Sequence, residues 1–99
     1  MSLSTNERDL LTLVARAGEP VEMTGFFMDL NPPSPGLDEN HPDHPAWTER
    51  QIALYGVVLS LHEKKLVHIV APANGDRPDL VEPTPAGHAA LATEEGRPA

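Results

Sequence analysis

Tyr55-Gly-Val-Val58-Leu-Ser-Leu61-His-Glu63-Lys-Lys-Leu66-Val67 is the stretch that decides the fold. Apolar residues crowd its first half, a polar step follows at His62–Lys65, and the branched run Leu66-Val67-His68-Ile69-Val70 reads as a strand. Working back from Tyr55, Thr48-Glu-Arg-Gln51 has the spacing of a capping box, and Trp47 before it is placed to staple the helix start against Ile52. The helix is therefore predicted from about Glu49 to Lys64 or Lys65. Working forward, Asn74-Gly75 favours a hairpin turn because both residues accept positive φ, although Pro72 and Pro78 argue for a longer, looser connection. Leu80-Val81-Glu82 then pairs back on the first strand. Thr84 caps a last helix with Pro85 at its first position, where a missing N–H costs nothing. Ala89, Ala90 and Leu91 pack, and residues 93–99 form a polar, flexible tail.

Upstream, Ser4 and Glu7 form another capping-box spacing. Leu10, Leu13, Val14 and Ala17 follow at the steps of one buried helical face, and Gly18 ends that helix as a left-handed cap before Pro20. Val21–Leu30 holds a brief strand and a short helix capped by Thr24, with Phe26, Phe27 and Leu30 facing the core. Residues 31–46 carry five prolines and three acids and read as an extended acidic loop, since each proline fixes its own backbone and biases the residue before it away from helix. No internal repeat is visible.

Composition limits the function classes. Ninety-nine residues make a single domain with one modest core. Without cysteine there are no disulfides and no thiolate chemistry, which fits a reducing compartment. No apolar run is long enough to span a membrane, and the N-terminus lacks the pattern of a signal peptide, so a cytoplasmic protein is expected. The net charge is −8. Only residues 48–71 escape the acidity, with three bases against two acids. Non-specific affinity for DNA comes from neutralising phosphates, so this balance predicts weak binding at physiological salt.

The segment 48–91 resembles the recognition helix, wing and following helix of winged helix-turn-helix proteins, especially PadR- and MarR-like transcriptional regulators. Tyr55, Val58, Leu61, Glu63, Leu66 and Val67 match the pattern of an aromatic, two apolar residues at three-residue steps, an acid, and Leu-Val opening the strand. Thr84-Pro85-x-Gly87 matches the way the family opens its last helix. Lys65 stands where glycine is usual, and the loop 31–46 is several times longer than the turn of three or four residues that joins the two helices of the motif. The resemblance implies a fold that is mainly α with a small β-hairpin (α+β). Its order is helix, short strand, helix, long loop, helix, strand, wing, strand, helix. It also implies a regulatory function, with DNA as the family's ligand.

The long helix is the test of that function. On a helical wheel its apolar residues cover about 220°, and Glu49, Ala53, Gly56, Ser60 and Glu63 fill the remaining strip. Base-reading helices present Arg, Lys, Asn or Gln. The candidate DNA contacts are therefore Thr48, Arg50, Gln51, Lys64 and, on the wing, Arg77, which Asp76 and Asp79 flank. The alternative is a protein-interaction module that keeps the fold without reading DNA, with Ala53, Gly56 and Ser60 as a close-packing seam against another helix or partner; on either reading the excess apolar surface of so short a chain predicts a homodimer. The plain expectation beside both is that a helix apolar on all sides is simply buried.

His41 and His44, with Asp38, Glu39 and Asp43, gather metal-ligand types, but Pro42 and Pro45 stiffen the segment against a tetrahedral site. A solvated polar loop is expected, with no metal and no cofactor. No nucleophile elbow or phosphate-binding glycine loop occurs, so the sequence does not point to an enzyme.

Overall fold

The computed structural model describes residues 3–95. Helix α1 spans Thr5–Arg16, a 3₁₀ turn covers Met23–Phe26, and α2 is a single turn at Phe27–Leu30. Helix α3 runs His44–Glu63, strands β1 and β2 span Val67–Ala71 and Leu80–Pro83, and α4 spans Pro85–Glu95. The class is α+β, with an antiparallel two-stranded sheet. Among the described residues no helix is long and apolar enough to cross a membrane.

Helix α1 starts as its sequence predicts. The Ser4 hydroxyl accepts the Glu7 N–H, and the Glu7 carboxylate accepts the Ser4 N–H. It stops at Gly18, whose φ of 71° is the left-handed conformation that glycine adopts without a Cβ penalty. The buried face is Glu7, Leu10, Leu11 and Val14. Leu11 thus replaces the expected Leu13 and Ala17, because α1 must cover α3, α4 and β2 together. The core joins these residues to Leu54 and Leu61 of α3, Leu66, Val67, Val81, Met23, Phe27 and Leu91. Each large aliphatic side chain so buried contributes about 1.5–3 kcal/mol.

The expected brief strand is one bridge, Val21 to Val81, with both backbone bonds made at 2.9 and 2.8 Å. Thr24 does not cap the short helix. It lies inside the 3₁₀ turn, which has no side-chain cap. In β1–β2, Val67 pairs with Pro83, His68 with Glu82 and Ile69 with Val81, and an irregularity precedes the Ala71–Leu80 pair. The connection is the longer one that Pro72 and Pro78 suggest, and its tip is a tight turn one residue further on than expected, with Asn74 bridged to Arg77 around Gly75-Asp76. Neither Asn74 nor Gly75 has positive φ, and the Asn74 side chain instead accepts the N–H groups of Asp76 and Arg77.

Helix α3 begins earlier than predicted. Pro45 sits in its first turn, where the absent N–H would have had no helical partner, so the proline starts the helix rather than excluding it. Thr48 and Gln51 are consequently interior positions and form no box. The loop shortens to residues 31–43, and turns closed by Ser34, Asp38 and His41 carbonyls organise it. Trp47 does not staple onto Ile52. Its indole N–H donates to the Asn31 carbonyl, the Asn31 amide donates back to the Trp47 carbonyl, and Ile52 is left exposed. At the other end of the chain, α4 continues through Glu95, so residues 93–95 are helical. The rest of the expected tail lies outside the described residues.

Candidate functional site

The long helix has two chemically different sides. The inward side carries Leu54 and Leu61, both fully buried, with Val57 and Val58 packed against the same core. Gln51, Arg50, Ser60 and Lys64 along its margins are engaged with other elements. Asn31, which is buried, donates to the Gln51 side-chain oxygen at 3.0 Å. The Arg50 guanidinium donates to the Asn6 side chain at 2.9 Å and to the Leu30 carbonyl at 3.4 Å. Ser60 and Lys64 both donate to the same Glu7 carboxylate oxygen, at 2.6 and 2.7 Å.

Glu7 is the electrostatic centre of that side. Burial raises its carboxyl pKa, but hydrogen bonds from Lys64, Ser60 and the Ser4 amide, with the Lys64 charge, outweigh burial and hold it at about 2. The carboxylate therefore fixes α3 to α1 as an ion, not as a neutral acid.

The outward side is apolar and open. Ile52 is 66 % exposed, Leu59 64 % and Tyr55 53 %. Tyr55 touches its own molecule through an edge-to-face contact with Phe27. Glu49, Ala53, Gly56 and Glu63 are exposed with them, and a Cβ added at Gly56 would meet nothing within 4 Å. The expectation that this helix is simply buried is therefore overturned. Among the described residues no element covers this side of α3.

These positions sort the candidate residues. Of the seam Ala53, Gly56 and Ser60, the first two face outward, whereas Ser60 is turned to Glu7. Among the candidate DNA contacts, Arg50, Gln51 and Lys64 are bonded as described. The Thr48 hydroxyl is buried without a partner. Arg77 donates to the Pro72 and Pro78 carbonyls within the hairpin. The fold does not gather the five on one open surface. The sequence places Ile52, Tyr55 and Leu59 in one wide apolar arc with Leu54 and Leu61, and the structure divides that arc between the core and solvent. The missed signal is their spacing of three and four residues, which separates them from Leu54 and Leu61 on the wheel.

Two other places could hold ligands. His41 Nδ1 accepts the Asp43 N–H at 3.0 Å, and among the described residues no group of three His, Cys, Asp or Glu side chains is placed to share a metal ion. A groove of about 560 Å³ beside α1 is lined by Arg8, Asp9, Thr12, Arg16, Asp29 and Leu30. Its two arginines are balanced by two aspartates, so it selects no ligand charge. No family model matches the chain, and no curated protein or solved structure matches it.

Proposed function

We propose that this chain is a regulatory protein of the winged-helix type that acts through protein contact on the outward side of α3 rather than by reading bases. The element order, three helical segments followed by a hairpin and a last helix, supports the winged-helix arrangement. Two details add support. Lys65, at the position where the resembling family uses glycine, has the positive φ of 58° that explains such a preference. Gly87 of the Thr84-Pro85-x-Gly87 step lies so close to the Leu66 carbonyl that any Cβ would collide with it.

One observation carries the choice of protein over DNA. Arg50, Gln51 and Lys64, the residues of the long helix and its C-cap suited to base edges, are committed inside the molecule, whereas Ile52, Tyr55 and Leu59 are left in solvent. Exposed apolar residues clustered on one element mark interaction surfaces. Bases and phosphates offer little to such a face, and its two carboxylates would repel the backbone.

A mobility-shift titration with mixed-sequence duplex DNA tests the choice. No shift is expected at about 50 mM salt, conditions that favour binding by any phosphate-neutralising protein. A shift that weakens steeply with salt and is lost in Arg77→Ala would restore the DNA reading. Arg77 is the cleaner probe, because Arg50 also ties α3 to α1.

A further inference from the structure

We infer that the outward ridge of α3 docks a basic amphipathic helix of a partner protein, in preference to a second copy of this chain; the inference rests on the protein-contact function proposed above. Glu49, Ile52, Gly56, Leu59 and Glu63 follow one another at alternating steps of three and four residues. That is the spacing of a seam along which two helices pack. With Tyr55 at its margin, the seam occupies about 120° of the wheel. Gly56 is open at its centre, so a partner's side chain or backbone can come close there.

Charge selects the occupant. The seam is apolar in the middle and ends in an exposed carboxylate on each side, Glu49 and Glu63. The helix's own bases cannot neutralise them. Arg50 is bonded to Asn6 and Leu30, and Lys64 to Glu7. A second copy laid antiparallel on the seam would set Glu49 against Glu63 twice, and a parallel copy would set each against itself. Both arrangements oppose like charges, on a chain whose net charge is already −8. A helix with an apolar stripe flanked by Lys or Arg meets the same seam with opposite charge at both ends. Helix-on-helix docking of this kind is read through anchors at steps of three and four residues.

The test uses the full chain and two synthetic helices of about four turns. Both carry the same leucine stripe; lysines flank it in one and glutamates in the other. In fluorescence anisotropy the lysine helix should bind about tenfold or more tighter than the glutamate helix, with the preference shrinking as salt is raised. Glu49→Lys combined with Glu63→Lys should invert the preference. Ile52→Ser with Leu59→Ser should weaken binding of the lysine helix by about tenfold or more. No binding of the lysine helix, equal binding of the two, or a preference that the charge swap leaves in place overturns the assignment. Self-association in sedimentation that Ile52→Ser with Leu59→Ser abolishes overturns it in favour of a second copy. None of these outcomes bears on DNA, which the mobility shift decides separately.

Discussion

Glu7 shows how much a single residue can hold together. Its carboxylate caps α1 at Ser4 and also receives Ser60 and Lys64 from α3, more than fifty residues away. The folded carboxyl titrates near 2 against an ordinary value of 4.5. A depressed pKa means stability that is complete above about pH 4.5 and is lost as pH falls toward 2. The loss should amount to roughly 3 kcal/mol, since each pH unit of displacement is worth about 1.4 kcal/mol. Chemical denaturation at a series of pH values should show this step, and Glu7→Gln should remove it while lowering stability at pH 7. A Glu7→Gln protein with the same acid profile as the parent would show that the ion pair does not hold the helices. The Ser4–Glu7 spacing made the cap legible in sequence. The link to α3 was not, because nothing local brings positions 7, 60 and 64 together.

At the scale of the element, α3 is instructive at both ends. Its start was misplaced because Thr48 and Gln51 have the residue types of a box, while Pro45 looked like a boundary. The Asn31–Trp47 exchange of hydrogen bonds holds the earlier turn instead, and the proline's missing donor is harmless there. The other end, at Glu63, falls within two residues of the expected Lys64 or Lys65, and the structure supplies the mechanism. The Leu66 N–H reaches back to the Leu61 carbonyl and the Lys65 N–H to that of His62, which closes the helix around a left-handed residue. Lys65 occupies that position at φ 58° with a Cβ that disfavours it. Lys65→Gly should therefore stabilise the protein by about 0.5–1 kcal/mol, the left-handed strain outweighing the added freedom of the unfolded chain. Thermal unfolding reads it, and a drop in midpoint would show that the lysine side chain contributes more than its strain. The Thr84 hydroxyl completes the same corner. It donates to the Lys65 carbonyl and accepts the Gly87 N–H, so the end of α3 and the start of α4 are one joint.

The whole molecule is a slab. Its extents are 43 × 42 × 21 Å and its radius of gyration is 14.8 Å, larger than the roughly 13 Å of a compact domain of this size. A thickness of 21 Å is about two helix diameters. Among the described residues α3 packs on α1 and β1, and Ile52, Tyr55 and Leu59 on its other side stay exposed. An apolar outer side on α3 is the geometric result, and burial there requires a partner. Ile52→Ser with Leu59→Ser should accordingly change unfolding free energy by less than about 0.5 kcal/mol, the range of surface substitutions. Equivalent changes at Leu54 and Leu61, both fully buried, should cost several kcal/mol each. Comparable losses at both pairs in denaturant titrations would mean that the ridge is part of the core after all.

Local chemistry in the sequence was enough to determine the capping of α1 at Ser4, its end at Gly18, the β1–β2 hairpin and the Thr84 start of α4. Each of these is settled by residues a few positions apart. The sides of α3 were a different matter. Leu54 and Leu59 are the same residue type on the same helix, and Ile52 is as apolar as either. Only the packing of α1 and the hairpin decided which of them lost water, because burial depends on what lies opposite and not on the side chain itself. The same packing drew Arg50, Gln51 and Lys64 inward, since each found a hydrogen-bond partner on α1 or beside α2 that water could not better. Those two outcomes, an apolar ridge left out and polar groups taken in, are tertiary facts, and the function proposed for this chain follows from them.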